Sequence, residues 1–428
     1  MDTTPFHLIL AALDIVVLGG LLLWIRFRRS TEPTRSAVYQ FEKSLYVPVA
    51  VRQPSLIWDV TGVLFFGGFG FGCFAVLSRL ICTDLVQKHV YSFNVGQCIV
   101  EGIAVHGTLF FVIAALLLYR NRRHLLALFL GCCALGLAGI SFNVLYWEPY
   151  HLRIEYHAIK TGKVQTPLRI VFVADIQTDR ISSHEINTLK KIQQQDADLI
   201  ILGGDYIQTF QGTRDKDLPK HFRQMLLDYP LNAPLGVYAI AGNIEGHGGV
   251  SDAELFKGTS VAYFQDFTIF DNLGAAENLG PIDLVLLGIN EHRRTSARGY
   301  IGEPGLTDSG RFIVMVGHYP NYAVDGYTSP KTKRLWHGYR NAEKTPDLML
   351  AGHTHGGQIV IPFYGALPWG GDQYVQQTPR TMRSGFFTYP NGGHLLITRG
   401  SGMERGWAPR IRFCCPAEIS VIYIVPEE

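Results

Sequence analysis

Leu348-Met-Leu-Ala-Gly352-His353-Thr354-His355-Gly356-Gly357-Gln358 is the stretch that decides how this chain is read. Four apolar residues closed by a glycine have the length and composition of a buried strand. Two imidazoles follow at i and i+2, between glycines that let the backbone turn tightly. On an extended segment such residues point the same way, so His353 and His355 are expected to face one site. A lone histidine after a glycine is ordinarily structural. A pair of imidazoles set among glycines at a strand end has little structural use, and metal binding is the better reading.

The pattern recurs on either side. Arg169–Asp175, Leu199–Asp205, Val237–Gly242, Leu284–Gly288, Phe312–Gly317, Leu395–Gly400 and Ile419–Val425 are short apolar runs of the same kind, read as buried strands. Between the first two, Ser182-Ser183-His184-Glu185 is a capping box ahead of Ile186, Leu189 and Ile192, a helix with one apolar face. Alternating strands and helices give an α/β domain with its polar strand ends on one rim. That rim carries Asp175, Gln177, Asp205, Asn243, His318, His353 and His355. An isolated aspartate at a strand end is more often a turn or cap residue, so the joint pattern carries the inference. Carboxylate, amide and imidazole suit Mn, Fe or Zn. Seven candidate ligands on five strand ends exceed the needs of one ion. Two metals about 3.5–4 Å apart would use them, clamping a phosphoryl oxygen and making hydroxide from water near neutral pH.

From about residue 167 to 425 the sequence resembles the calcineurin-like metallophosphoesterases, in particular their membrane-anchored bacterial branch. Gly-His-Thr-His-Gly-Gly-Gln-Ile-x-x-Pro (352–362) and Thr-Arg-Gly-Ser-Gly (398–402) carry the resemblance. It implies two packed mixed β-sheets flanked by helices, a metallophosphoesterase-like sandwich with a dinuclear metal centre at the strand ends. Asp175, Gln177 and His355 would hold the first metal, Asp205 would bridge, and Asn243, His318 and His353 would hold the second. A hydroxide bridging the metals would attack phosphorus in line, with Asn243 helping to neutralise the developing charge. The first 150 residues lie outside the resemblance.

Two positions depart from the family pattern. Its first motif reads Asp-x-His, whereas here Asp175-Ile176-Gln177 offers a glutamine oxygen, a weaker ligand than imidazole. Its third reads Gly-Asn-His-Asp/Glu, whereas here it is Gly242-Asn243-Ile244-Glu245. The histidine replaced by Ile244 is, in the family, the one that stabilises the transition state or protonates the leaving group. His247 or Glu245 is a candidate replacement, against the plainer reading of His247 as a loop residue. Loss of a general acid typically costs about 10²–10⁴-fold in rate. Phosphoanhydrides, with better leaving groups than alkyl phosphates, fit such a site best.

Composition points elsewhere for the rest of the chain. Of 428 residues 47% are apolar and 17% charged, against roughly 25% charged in an ordinary soluble domain. A formal net charge of +2 argues against nucleic acid as a partner. The excess apolar content sits in four runs, at about 8–25, 60–77, 102–119 and 125–147, each close to the ~20 residues that span a bilayer as a helix. A signal peptide wants a short apolar stretch and a small-residue cleavage site, whereas the first run leads straight into Arg26, Arg28 and Arg29 and reads better as a span. The expected organisation is a transmembrane helical bundle over 1–147 and a catalytic domain over 148–428. Glu101 is expected just outside the third helix. Lys and Arg number six between Arg26 and Ser55, three at Arg120–Arg123 and two between Arg79 and Cys98. By the positive-inside rule the C-terminal domain then emerges on the outer, periplasmic face of the inner membrane. Cys82 and Cys98 bracket the outer loop and are a candidate disulfide.

Two segments are candidates for shaping substrate choice: Gln208–Pro230, and Asn321–Thr345 with its mixture of lysine, arginine and aromatic residues. Cations and rings beside a membrane-tethered site suit a phosphate or pyrophosphate of a lipid or envelope precursor. A solvated loop explains them equally well. Glu291-His292-Arg293-Arg294 is a further candidate phosphate contact. The alternative for the whole protein is a degenerate sensor or regulatory membrane protein, which the changes at Gln177 and Ile244 favour and the retained ligands oppose.

Overall fold

The computed structural model describes residues 12, 15–23, 61, 65, 100–208, 217–244, 252–265, 268–270, 280–287, 310–320, 327–328, 335–336, 346–367, 380–390, 392–404 and 409–427. The chain divides into two compact units, Met1–Phe142 and Asn143–Glu428.

In the first unit, α1 (Thr108–Arg120) and α2 (His124–Phe142) are joined by a tight turn, and Leu21, Ala114, Leu118, Ala127 and Leu130 pack together. Among the described residues, two helices, Val100–Arg120 and His124–Tyr150, are long and apolar enough to cross a membrane. Glu101 lies within helix rather than before it, which corrects the expectation for that residue. The apolar run 60–77, most of 8–25, and Cys82 and Cys98 lie outside the described residues.

The second unit is built on two mixed sheets. One has the order β1 (Arg153–Thr161), β16 (Glu418–Pro426), β2 (Leu168–Val173), β3 (Leu199–Leu202), β4 (Val237–Ile240), β5 (Ala262–Phe264). The other runs β14 (Gly385–Thr388), β15 (His394–Ile397), β11 (Leu348–Ala351), β8 (Phe312–Val316), β7 (Ile282–Leu286), β6 (Thr268–Phe270). Small hairpin pairs join β9 (Tyr327–Thr328) to β10 (Leu335–Trp336) and β12 (Val360–Ile361) to β13 (Gly365–Ala366). Strands β2 to β5 run parallel, as do β7, β8, β11 and β15. All eight apolar runs picked out in the sequence are strands. Seven of them stop one to three residues before the runs do, while β16 continues one residue further, to Pro426.

Strand alternation divides each sheet's side chains between two layers. Ile170, Phe172, Leu199, Ile201, Tyr238, Ile240 and Ile422 of the first sheet meet Leu284, Leu286, Phe312, Val314, Val316, Leu348 and Leu350 of the second, forming the central core. Val171, Val173, Ile200, Leu202 and Val421 face the other way. They are covered by α3 (Ser183–Gln193), α4 (Leu218–Asp228) and α5 (Asp252–Phe256) through Leu189, Ile192, Phe222, Met225 and Phe256. Because both faces of the inner strands are buried, those strands read as nearly continuous Val, Ile and Leu. The capping box closes α3 as expected: Ser182 accepts from the His184 N–H, and Glu185 accepts from the Ser182 N–H at 2.8 Å.

Strand β1 was not anticipated. Its Arg153, Glu155, His157 and Lys160 give it the polarity of a linker, since it is the outer strand of its sheet and one face is half-exposed. It gains its place by pairing in parallel with β16 over nine residues.

The central layer predicts a measurable cost. Phe172 is fully buried there, and a Cβ added at Gly203 would strike its ring. Phe172→Ala should lower stability by about 3–5 kcal/mol in urea unfolding of the detergent-solubilised chain, and a loss under about 1 kcal/mol would contradict close packing at this point.

Candidate metal centre

The C-terminal ends of β2, β3 and β4 in one sheet and of β8 and β11 in the other converge on a single spot. Asp175 and Gln177 follow β2, Asp205 follows β3, Asn243 follows β4, His318 follows β8, and His353 and His355 follow β11. Asp175, Gln177, Asp205, His318, His353 and His355 are all buried, and Asn243 is half-buried.

Hydrogen bonds across the seam between the sheets fix the group. Both carboxylate oxygens of Asp175 accept from the His353 N–H, at 3.0 and 2.9 Å. Asp205 Oδ1 accepts from the backbone N–H groups of Asn243 (2.7 Å) and Ile244 (3.0 Å), and its Oδ2 lies 3.2 Å from His318 Nε2. His318 reaches Gly203 O through Nδ1 at 2.8 Å and Asn243 Oδ1 through Nε2 at 3.0 Å. His355 Nε2 stands 3.9 Å from Asp175 Oδ1. The imidazole of His353 is flanked by His318 and by Tyr319, whose ring centroid is 4.3 Å away.

The two histidines of the Gly-His-Thr-His turn do not lie on an extended segment, which corrects the sequence expectation. His353 has φ +69°, His355 has φ +48°, and a 3-10 turn runs over His355–Gly357. Their rings reach the site from a coiled backbone rather than from one face of a strand. The reason is the tightness of the turn after β11, where Gly352 N donates to His318 O at 3.0 Å and a Cβ at Gly352 would collide with Ala174 and Asp175.

Left-handed backbone is concentrated here. Six of the ten non-glycine residues with positive φ among the described residues are Asp175, Gln177, Asp205, His353, His355 and Gln358. Each such residue costs about 1–2 kcal/mol and persists only where its surroundings over-determine it. Here backbone bonds lace the turns together: Asp175 N to Gly204 O (2.9 Å), Gln177 N to Asp205 O (2.8 Å) and Gly402 N to Asp175 O (2.8 Å). Gly242 packs so closely on Asp205 that no Cβ has room.

Electrostatics separates the two acids. Burial, with Asp205 nearby, pushes the Asp175 carboxyl up to about 7, against the pull of His318 and His353. Burial would also raise Asp205, but His318 beside it, His353 and the Ile244 N–H outweigh burial and hold it at about 2. Burial opposes charge on His318, yet Asp205 and then Asp175 raise it to about 10. Burial, then Arg412, keeps His355 well below the ordinary imidazole value.

This donor set fits divalent cations. Ligand atoms of Asp205, His318 and His353 all lie within 4.8 Å of one another. Gln177 Oε1 and His355 Nδ1 are buried polar atoms with no hydrogen-bond partner, a costly condition that a cation would relieve for the amide oxygen. Glu245 and His247 lie outside the described residues, as do Glu291–Arg294 and all of Asn321–Thr345 except 327–328 and 335–336. In Gln208–Pro230, Lys220 and Arg223 belong to α4, while Arg214 and Lys216 are outside the described residues. Ile244 is buried, with 8% of its surface exposed, and its N–H donates to Asp205 Oδ1.

Two residues were not anticipated. Tyr319 stacks edge-on against both His318 and His353. Glu404 accepts from Gln177 Nε2 at 2.8 Å and from Gln208 Nε2 at 2.8 Å. Its only trace in the sequence is its place two residues beyond Thr-Arg-Gly-Ser-Gly.

Residues 168–357 match the model of the calcineurin-like phosphoesterase family. The chain is 28% identical over 320 residues to the uncharacterized metallophosphoesterase YkuE of Bacillus subtilis, covering 70% of this chain and 96% of that one. An uncharacterized metallophosphoesterase of Aquifex aeolicus is 23% identical over 286 residues, 65% of this chain and 93% of that one. Among solved structures, a dimetal phosphatase from Danio rerio aligns over 54% of this chain and 87% of its own at 11% identity and a TM-score of 0.30. Residues 168–357 are thus similar to the calcineurin-like phosphoesterases, and the two bacterial relatives, matched over nearly their whole length, carry the name metallophosphoesterase, a likeness that supports a phosphoester hydrolase.

Proposed function

We propose that the chain is an integral-membrane phosphohydrolase with a dinuclear metal centre, cleaving a phosphate ester or pyrophosphate bond of a lipid or envelope precursor. The single observation that supports the dinuclear reading is that seven candidate ligands follow five strand ends, around a cluster of Asp205, His318 and His353 ligand atoms within 4.8 Å of one another. In this reading Asp175, Gln177 and His355 hold one cation, Asn243, His318 and His353 the other, and Asp205 is shared. When bound, divalent cations there neutralise phosphoryl oxygens and make water acidic enough to act as a nucleophile near neutral pH. The protein's own contribution is placement. Asp205 fixes the Asn243 and Ile244 backbone, Gly203 O orients His318 through Nδ1 and leaves Nε2 for the cation, and the Asn243 amide N–H groups serve charge developing on the phosphoryl group. Ile244 supplies no proton, so substrates whose leaving groups need none are favoured. Phosphoanhydrides come first among these.

The membrane part of the proposal rests on Val100–Arg120 and His124–Tyr150. Their outward side chains are large and apolar: Leu116 is 63%, Leu125 85% and Leu135 76% exposed, the reverse of a soluble core helix. With the runs at 8–25 and 60–77 they make four spans across residues 1–147. The arginines at 120, 122 and 123 between the two helices favour a cytoplasmic turn and an outward-facing domain over 148–428. A membrane-tethered site of this kind serves an amphiphilic phosphate.

Hydrolysis by detergent-purified protein with added Mn tests the reading. Nucleoside diphosphate and p-nitrophenyl phosphate should turn over faster than an alkyl phosphate by about 10²-fold or more, as expected without a general acid. Asp205→Ala should lower every rate by more than about 100-fold. Stoichiometric metal without turnover of any substrate would select the regulatory alternative.

Metal uptake should depend on pH in a defined direction. A proton on His318 is retained to about 10, and one on Asp175 to about 7, so cations must displace protons at neutral pH. Chelator-stripped protein should release protons on taking up Mn, and its affinity should rise between about pH 6 and pH 8. Calorimetry in buffers of different ionisation enthalpy reads both, and an affinity that falls over this range would contradict the assignment.

A further inference from the structure

The role of Gln177 rests on the dinuclear reading above, and it raises a problem of orientation. The two ends of a side-chain amide are alike in size and opposite in chemistry. Oε1 can ligate a cation, whereas Nε2 carries two N–H donors and cannot. Which end faces the site must be decided by a partner. A histidine in this place would not pose the problem.

Glu404 is that partner. A carboxylate only accepts, so its 2.8 Å contact through Oε2 turns the Gln177 NH2 toward it. Gln177 Oε1 is then left buried with no hydrogen-bond partner. Glu404 is in turn held from two directions. Its Oε1 accepts from Gln208 Nε2 at 2.8 Å, and its N–H donates to Gln358 Oε1 at 2.8 Å. Gln358 is anchored by its Nε2, which donates to Pro409 O at 2.7 Å. Two glutamines, from the turns after β2 and β3, thus hold the carboxylate, and a third, after β11, holds the Glu404 backbone. The arrangement matches what metal-bound histidines receive from an outer carboxylate: a fixed orientation and a more basic donor atom.

We propose that Glu404 is a positioning residue of the metal centre, aiming Gln177 Oε1 at the cation and backing a neutral amide with the charge that makes it a competent ligand. The coupling makes the role specific: Glu404 matters to metal because Gln177 is a glutamine.

Mn titration of the chelator-stripped, detergent-solubilised full chain, followed by calorimetry and by bound-metal stoichiometry, tests this without reference to turnover. Glu404→Gln should weaken one of two Mn sites by about 10–100-fold. In a Gln177→Ala background the same change should add no further loss. Gln177→His should restore affinity to Glu404→Gln, because an imidazole does not need its amide end chosen; a general folding defect would not be rescued this way. Equal affinity of Glu404→Gln and the natural chain overturns the proposal. So does a loss that persists undiminished with Gln177→Ala, or one that Gln177→His leaves unrepaired. If the natural chain itself takes up no Mn, the dinuclear reading falls and this proposal with it, an outcome distinct from the other three.

Discussion

Two carboxylates buried side by side constrain everything around them. Asp175 and Asp205 stand at the ends of adjacent parallel strands, where water cannot screen their repulsion. Neither is balanced by its own sheet alone. The N–H that meets Asp175 belongs to His353, and the imidazole that meets Asp205 belongs to His318, both from the second sheet. The two sheets must therefore be packed in register before the acids are tolerable. The central layer of Ile170, Phe172, Leu284, Val314 and Leu350 maintains that register.

The same constraint explains the unusual backbone. A carboxylate can accept from successive N–H groups only if the chain folds sharply around it. Asp205 Oδ1 collects two such donors because Gly242 brings the turn after β4 within reach, at a distance no side chain permits. Gly402 likewise lets its chain close on the backbone of Asp175 and Ile176, its N–H donating to the Asp175 carbonyl. Arg412, fully buried, donates to the carbonyls of Arg399, Gly400 and Gly402 and so clamps that second turn from behind.

Much of this was legible in the residues, and the exceptions have physical causes. Strands buried on both faces betray themselves by unbroken runs of Val, Ile and Leu, and the ligands stand where those runs end. Strand β1 was hidden because an outer strand keeps the alternation of a solvated surface. The backbone of His353 and His355 was misjudged because period-two reasoning holds only while the chain stays extended, and glycines on both sides release it. Glu404 could not be found from spacing, since its partners Gln177 and Gln208 lie 227 and 196 residues away. Its significance exists only in the folded chain. Ile244 was noticed as a departure from a pattern, and the structure places it with its N–H on Asp205 and its side chain buried.

The position of β16 carries a consequence for biosynthesis. This strand, built from residues 418–426, lies between β1 and β2, parallel to one and antiparallel to the other. Residues 418–426, made long after β1 and β2, must therefore be in place before the first sheet can close. Until then β1 has no neighbour and β2 exposes an unsatisfied edge, an invitation to wrong pairing that chaperones would have to guard. A chain that stops short of β16 leaves the strand that leads into Asp175 with one edge unpaired.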